Sequence, residues 1–335
     1  MTNPLLVVAA VFAGKTGHKA IPALALLVAF LPACNKGELR EEKYLNGTLK
    51  SRGHARLNAD NNYVLTGRWT FWYANGQKRA EGDYRDAKGS GEVGDSGLLI
   101  DGREGSWTHW YDNGQRMQES IFNNGKQEGA FASWYENGQR KEEGTRKVGR
   151  LEGPAVYWYG NGQKKEQSTW KDGKKEGPAI YWYENGQKKQ EVVYKADNLE
   201  GPGLSWHSNG QQEEATTWKN GERNGRSTAW YWNGSKRSEA TFKADKLEGL
   251  GTEWHDNGQK RSEVNFSAGE KDGLETLWYP SGHKEQTLVY RAGKKNGQKT
   301  AYYENGQRET ECMFRNDEHV GYCTNWDEKG KRSSF

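Results

Sequence analysis

Glycine recurs every 24 residues along most of this chain, and that period limits the fold more tightly than any other feature. One series runs through Gly114, Gly138, Gly162, Gly186, Gly210, Gly234, Gly258, Gly282, Gly306 and Gly330. A second, with the same step, runs through Gly105, Gly129, Gly153, Gly177, Gly201, Gly225, Gly249, Gly273, Gly297 and Gly321. An earlier copy stands at Gly67 and Gly76, and the gap behind it is 14 residues longer than one period. The surplus falls in the Gly-rich stretch from Lys88 to Gly97, which reads as a loop insertion near 85–98. A fixed short period means small units that bury their apolar faces only by stacking on one another. Residues 67–335 therefore read as an array of eleven such units.

The aromatic residues follow the same period. Trp72, Trp110, Trp134, Trp158, Trp182, Trp206, Trp230, Trp254, Trp278 and Trp326 form one column, the structural ladder, with Tyr302 in the remaining place. The next column holds Tyr73, Tyr111, Tyr135, Tyr159, Tyr183, Tyr231, Tyr279 and Tyr303. A third holds Tyr84, Phe122, Trp170, Tyr194, Trp218, Phe242, Phe266, Tyr290 and Phe314, broken only by Arg146. Each unit reads as two strands, because a run such as Ala179-Ile180-Tyr181-Trp182-Tyr183 is aromatic and β-branched with no helical spacing. The Asn-Gly pairs that follow, such as Asn185-Gly186, predict a two-residue type I′ hairpin turn. The polar loops between units, if centred on pairs such as Gly293-Lys294, set Tyr290 opposite Gly297 and Tyr194 opposite Gly201. An aromatic ring covering a cross-strand glycine is a stabilising arrangement. The same register sets Cys312 opposite Cys323, within reach of a disulfide. Which columns share a face stays open, since one bulge exchanges them.

The expected fold is thus all-β: an elongated single-layer antiparallel sheet of stacked hairpins, a ribbon on the order of 100 Å long at ~4.8 Å per strand. Composition agrees with a thin sheet. Hydrophobic residues make up only 33% of the chain, yet it carries 15 Trp, 17 Tyr and 9 Phe, which a disordered chain would not.

The N-terminus has a different character. Basic Lys15-Thr16-Gly17-His18-Lys19 precedes the apolar run Ala20 to Leu31, which leads into Leu31-Pro32-Ala33-Cys34. A basic region, a short apolar region and a small residue before Cys constitute a bacterial lipoprotein signal, here spanning 1–33 with Cys34 as the lipidated residue. The run is too short to span a bilayer as a helix. Residues 34–66 read as a linker and a degenerate N-terminal cap, in which Tyr44-Leu45-Asn46-Gly47 echoes the turn. The expected location is the cell envelope, the outer membrane before the inner, with the lipid as membrane partner. Export also permits the Cys312–Cys323 bridge.

No catalytic constellation is present, so the chain is not expected to be an enzyme. The His residues are dispersed, and His207 and His255 occupy places in the Tyr column. The Cys spacing suits no zinc site, and no metal or cofactor is expected. Lys+Arg 49 against Asp+Glu 45 is too even for a nucleic-acid footprint, and no nucleic-acid partner is expected. A basic column follows most of the Asn-Gly turns, with an acidic one just beyond it. Lys164, Lys165, Lys188 and Lys189, beside the Tyr column, make the candidate binding surface.

Units such as Gly177-Pro178-Ala179-Ile180-Tyr181-Trp182-Tyr183-Glu184-Asn185-Gly186-Gln187-Lys188 resemble the bacterial variant of the MORN repeat, in proteins of the kind labelled YwqK-like antitoxins. The resemblance covers residues 67–335 and implies a meandering antiparallel sheet, protein or lipid contacts, and no catalytic set. The expected function is an envelope-anchored, non-catalytic scaffold for a protein or surface-glycan partner. The alternative is an immunity or antitoxin-type lipoprotein that neutralises a cognate toxin.

Overall fold

The computed structural model describes residues 37–88, 93 and 97–333. The signal segment 1–33, its Cys34 and part of the loop insertion lie outside the described residues. The chain divides into two compact units, Met1–Arg150 and Leu151–Phe335. Among the described residues each unit is an antiparallel β-meander, without a helix.

The hairpin formed by Lys174–Trp182 and Lys188–Lys195 shows how one repeat is built. Its Asn-Gly turn is not the two-residue type I′ turn expected from the sequence. Tyr183 N–H donates to the Gln187 carbonyl at 2.8 Å and Gly186 N–H to the Tyr183 carbonyl at 2.9 Å. Only Gly186 has positive φ, at 86° for Gly306 and Gly76 and 85° here. This is a three-residue loop, a type I turn closed by a glycine in the left-handed region. The type I′ turns lie at the other end of the repeat. There Asp172 and Gly173 have φ of 51° and 81°, Ala292 and Gly293 48° and 76°, with Lys171 paired to Lys174 and Arg291 to Lys294.

That turn is centred one residue earlier than expected, which corrects the register beside it. Tyr290 faces Lys295 and Tyr194 faces Leu199; neither faces the following glycine. The glycines opposite them belong to the preceding strand: Gly273 pairs with Tyr290 and Gly177 with Tyr194. Between Trp170↔Lys175 and Ser168↔Ala179 the strand that carries Gly177 takes up two extra residues. Gly177 sits in this bulge with φ of 91°, a backbone state that a side chain resists. Beyond the bulge the expected register returns, with Leu288 opposite Lys299. In the last hairpin it brings the Cys312 and Cys323 Cα atoms to 4.5 Å and joins them in a disulfide.

A second irregularity follows the Asn-Gly turn, where Trp182 pairs with Lys188 but Tyr181 with Gln190, so Lys189 is the bulged residue. Pair by pair, the register assigns two faces. Trp182, Ile180 and Pro178 point to one with Lys188, Glu191 and Val193; this is the Trp face. Tyr181, Ala179, Val192 and Tyr194 point to the other, the core face, where Ala179 and Val192 are buried. The Trp column and the third aromatic column therefore lie on opposite faces. In the N-terminal unit the core face carries a cluster of Trp69, Ala80, Tyr84, Trp107 and Phe122, with Trp107 fully buried. Gly82 is required there, since a Cβ would lie 2.2 Å from the Trp107 ring. Residues 38–57, expected to be a degenerate cap, form a hairpin that pairs with the strand Tyr63–Trp72.

Candidate binding surface

The Tyr column joins successive hairpins. The Tyr183 hydroxyl donates to the Trp206 carbonyl at 2.9 Å, and Tyr73, Tyr111, Tyr159, Tyr231 and Tyr303 reach Trp110, Trp134, Trp182, Trp254 and Trp326 in the same way. Tyr279 donates to the Tyr302 carbonyl. His207 and His255 put Nε2 at 3.1 and 2.8 Å from the matching carbonyls, of Trp230 and Trp278. Burial first, and the Glu184 and Glu213 carboxylates second, raise the Tyr159 and Tyr183 hydroxyls above their ordinary range, so they stay protonated donors. The turn asparagines form a parallel ladder. Asn185 Nδ2 donates to the Ser208 carbonyl at 2.8 Å while its Oδ1 accepts the Gln187 N–H at 3.0 Å. Asn-Gly recurs because the Gly closes the loop and the Asn binds the next one.

The basic column divides by the bulge. The first lysine lies on the Trp face over the next hairpin's ring: Lys164 is 5.7 Å from Trp182 and Lys188 5.3 Å from Trp206. The second, bulged lysine lies over the tyrosine of its own loop, Lys165 5.8 Å from Tyr159, Lys189 5.6 Å from Tyr183 and Lys141 5.8 Å from Tyr135. Such contacts contribute ~0.5–1 kcal/mol each at exposed sites. Most first-position cations also reach a carboxylate three residues on, as Lys188 reaches Glu191 at 2.7 Å. Lys164 meets Gln167 instead, at 3.2 Å. Among the described residues Lys164, Lys165 and Lys189 form no ion pair.

Beside these lysines the Trp face carries an apolar patch. Pro154, Pro178 and Pro202 are exposed and stand one repeat apart. Val156, Ile180 and Leu204, half-buried, lie one row nearer the Trp column. Val193, paired with Pro178, is 36% exposed, and further on Leu250 and Leu274 in the same row are 51% and 54% exposed. Thr169 and Thr217 stand opposite Pro154 and Pro202, so the row alternates threonine with apolar residues. Trp158, Trp182 and Trp206 border it, half-buried.

A column missing from the sequence expectations lies on the core face. Arg103, Lys175, Arg223, Lys271 and Lys295 occupy one place in the repeat, and each lies against an aromatic ring. Lys175 is within 5.4 Å of Trp170, 4.9 Å of Tyr181 and 5.3 Å of Tyr194, and pairs with Glu166 at 2.8 Å. Burial pushes Tyr194 up to about 12, and burial with Glu275 does the same to Tyr290, so both remain neutral. The core face of the C-terminal unit also holds a groove of ≈ 760 Å³, lined by Glu214, Ser227, Phe242, Glu253, Phe266 and Tyr290 among others.

No curated protein matches the chain. Solved structures with some likeness include one titled "Crystal Structure of TcdB2-TccC3-Cdc42", at 8% identity and a TM-score of 0.18, covering 86% of this chain and 20% of that one. Another, of the Photorhabdus luminescens Tc holotoxin pore with a TccC3 mutation, has 10% identity and a TM-score of 0.18, covering 88% and 18%. The chain spans about a fifth of the length of either, and likenesses this slight bear on neither fold nor function. The family model described as MORN repeat variant, by contrast, matches the chain seven times, at residues 65–86, 103–124, 127–147, 151–172, 175–196, 247–268 and 295–316.

Proposed function

We propose that this protein is a non-catalytic binding scaffold, exported and anchored in the cell envelope through a lipid on Cys34, that holds a partner protein against the Trp face of residues 151–277. The apolar row of Pro154, Pro178 and Pro202, bordered by lysines without ion pairs, carries this reading. The Tyr column, expected to be part of that surface, has its hydroxyls committed to the hairpin behind it, so its role in recognition is limited to ring edges. A photo-crosslinking residue at Pro178 or Leu274, in the cells of origin, is expected to trap a partner that the same residue at core-face Ser238 does not trap. Equal labelling at all three sites overturns the assignment. A toxin trapped in this way would identify the scaffold as an immunity protein. The anchor is tested separately: Cys34→Ser is expected to move the protein from membranes to the soluble fraction.

The core-face groove supports a second reading, a surface glycan as partner. Phe242, Phe266 and Tyr290 supply rings for sugar faces, and Glu214, Ser227 and Glu253 supply groups for sugar hydroxyls. Binding of envelope polysaccharide that is lost in Phe266→Ala but kept in Pro178→Asp would favour the groove over the Trp face.

A further inference from the structure

The last hairpin departs from the array at three places at once. Where Cys312 stands, earlier repeats carry residues such as Ser168, Val192 and Leu288. Where Cys323 stands they carry residues such as Ala155, Ser227, Glu275 and Lys299. The third departure is His319, in the column of ring-stacked cations that holds Lys175, Lys271 and Lys295. A disulfide accounts for the two cysteines. It does not account for the histidine.

The fold collects all three. Phe314 pairs across the strands with His319, and the two rings meet edge to face at 5.4 Å, which orients the imidazole. Its Nε2 lies 2.8 Å from Cys323 Sγ. The two sulfurs and a His319 ring nitrogen all lie within 4.8 Å of one another, the one such group of potential metal ligands among the described residues. We propose that this hairpin is a redox-gated site for a thiophilic d10 cation of the zinc class, closed while the disulfide stands and opened by its reduction.

The chemistry is specific. A dithiol reductant gives two hydrogens to the Cys312–Cys323 bond and closes its own disulfide, leaving two protein thiols. Metal binding then expels both thiol protons to solvent as two thiolates and a neutral imidazole become ligands. Zinc sits about 2.3 Å from sulfur and 2.0–2.1 Å from nitrogen, so ligand atoms around a tetrahedral ion lie about 3.5–3.8 Å apart. The present separations admit that arrangement once the sulfurs part. His319 is exposed, and the cysteines are half-buried on a hairpin with a fully exposed Tyr322 beside Cys323. An ion has access, and its fourth position stays open to water. Thiolate and imidazole donors together favour zinc-class ions over calcium or magnesium. The sequence spacing conceals this site because the ligands come from both strands of a hairpin and include no Cys-x-x-Cys pair.

The test uses the full chain with Cys34→Ser, which removes the only thiol outside the hairpin. It is reduced with a phosphine, desalted without oxygen, and titrated with Zn2+ against a chromophoric competitor and with Co2+ by absorption. The expected result is one equivalent bound, a thiolate-to-cobalt charge-transfer band, and two protons released per ion. The oxidised chain should bind none. His319→Ala, checked by mass to retain its disulfide when oxidised, should bind at least about tenfold more weakly, the lower end of what losing even an outer-shell partner costs. If the reduced chain binds no better than the oxidised one, the proposal is wrong. It is equally wrong if His319→Ala binds as the parent does, because the site is then a plain dithiol. If reduction frays the hairpin, binding is lost and the proposal with it.

Discussion

Tyr183→Phe measures what holds one hairpin to the next. The substitution removes one atom, the hydroxyl oxygen that donates to the Trp206 carbonyl at 2.9 Å, and leaves the ring under Lys189. A hydrogen bond of this kind contributes about 0.5–1.5 kcal/mol net. Because Tyr183 is only half-buried, water can take over the freed carbonyl, which places the loss near 1 kcal/mol. Tyr231→Phe and Tyr279→Phe remove equivalent bonds, at 2.8 and 2.9 Å, two and four repeats further on with other acceptors. Such separated sites add, so the triple variant should lose about 3 kcal/mol. The chain supplies its own control: His207 and His255 make the same contact, so Tyr183→His should lose much less than Tyr183→Phe. The assay is equilibrium urea unfolding followed by tryptophan fluorescence, with the slope checked for constancy. If all three Tyr→Phe variants fall within about 0.3 kcal/mol of the parent, below the range for a net hydrogen bond, the ladder is not structural. The Tyr column would then be free for a partner.

Other perturbations test other columns. Gly82→Ala sets a Cβ 2.2 Å from the ring of fully buried Trp107, and should cost at least the ~1–3 kcal/mol typical of an overpacked core, read as a lower urea midpoint. Ala268→Asn relieves a left-handed alanine, φ 52°, at a turn position where Asn124 and Asn220 already serve; it should gain about 1 kcal/mol in the same assay. His109 is buried and stacked on Trp107, and burial, then Arg103 and Arg79, push it down to about 4 from 6.5. As pH falls the unfolded chain takes up this proton first, so the stability is complete above about 6.5 and declines toward 4, by up to about 3 kcal/mol. His109→Phe should lose less than the parent between pH 7.5 and 4.5, and an equal loss in both refutes the assignment.

The hairpin array was legible because period, Asn-Gly and aromatic columns all agree on it. What the sequence hid was decided by single residues in the backbone. Both turns of the repeat carry a glycine, often after Asn, so Asn185-Gly186 and Asn124-Gly125 look alike; only their φ angles separate the three-residue loop from the type I′ turn. The second glycine column suggested a ring over a glycine in the next strand, but Gly177 answers first to a bulge. The bulge shifts two residues, so the register near the turn was wrong while the Cys312–Cys323 pairing beyond it was right. The cation column was invisible for another reason. Lys175 and Lys271 alternate with Leu199 and Leu247, since either a stacked ammonium or an aliphatic chain covers the neighbouring ring.

A repeat array gives every residue a baseline, namely its counterparts one period away. Columns that answer to the backbone or to the next rung, such as Gly186, Asn185 and Tyr183, have little freedom, and their uniformity says nothing about a partner. The row that begins at Pro154 has fewer such duties, Arg226 alone pairing with a cross-strand carboxylate, Glu239. It runs through proline to Arg226, Leu250 and Leu274, pointing outward throughout, so its chemistry is set by something other than the sheet. Prolines in three successive repeats, with Thr169, Val193 and Thr217 opposite them, give that row a stretch short in side chain and therefore flat. A partner selecting for flatness and positive edges would act there. Pro178→Asp, exposed and on a strand residue whose backbone donates no hydrogen bond, should leave the urea midpoint within the ±0.5 kcal/mol usual for surface changes while abolishing crosslinking from Leu274. A fall in stability without a loss of partner would mean that the row serves the fold after all.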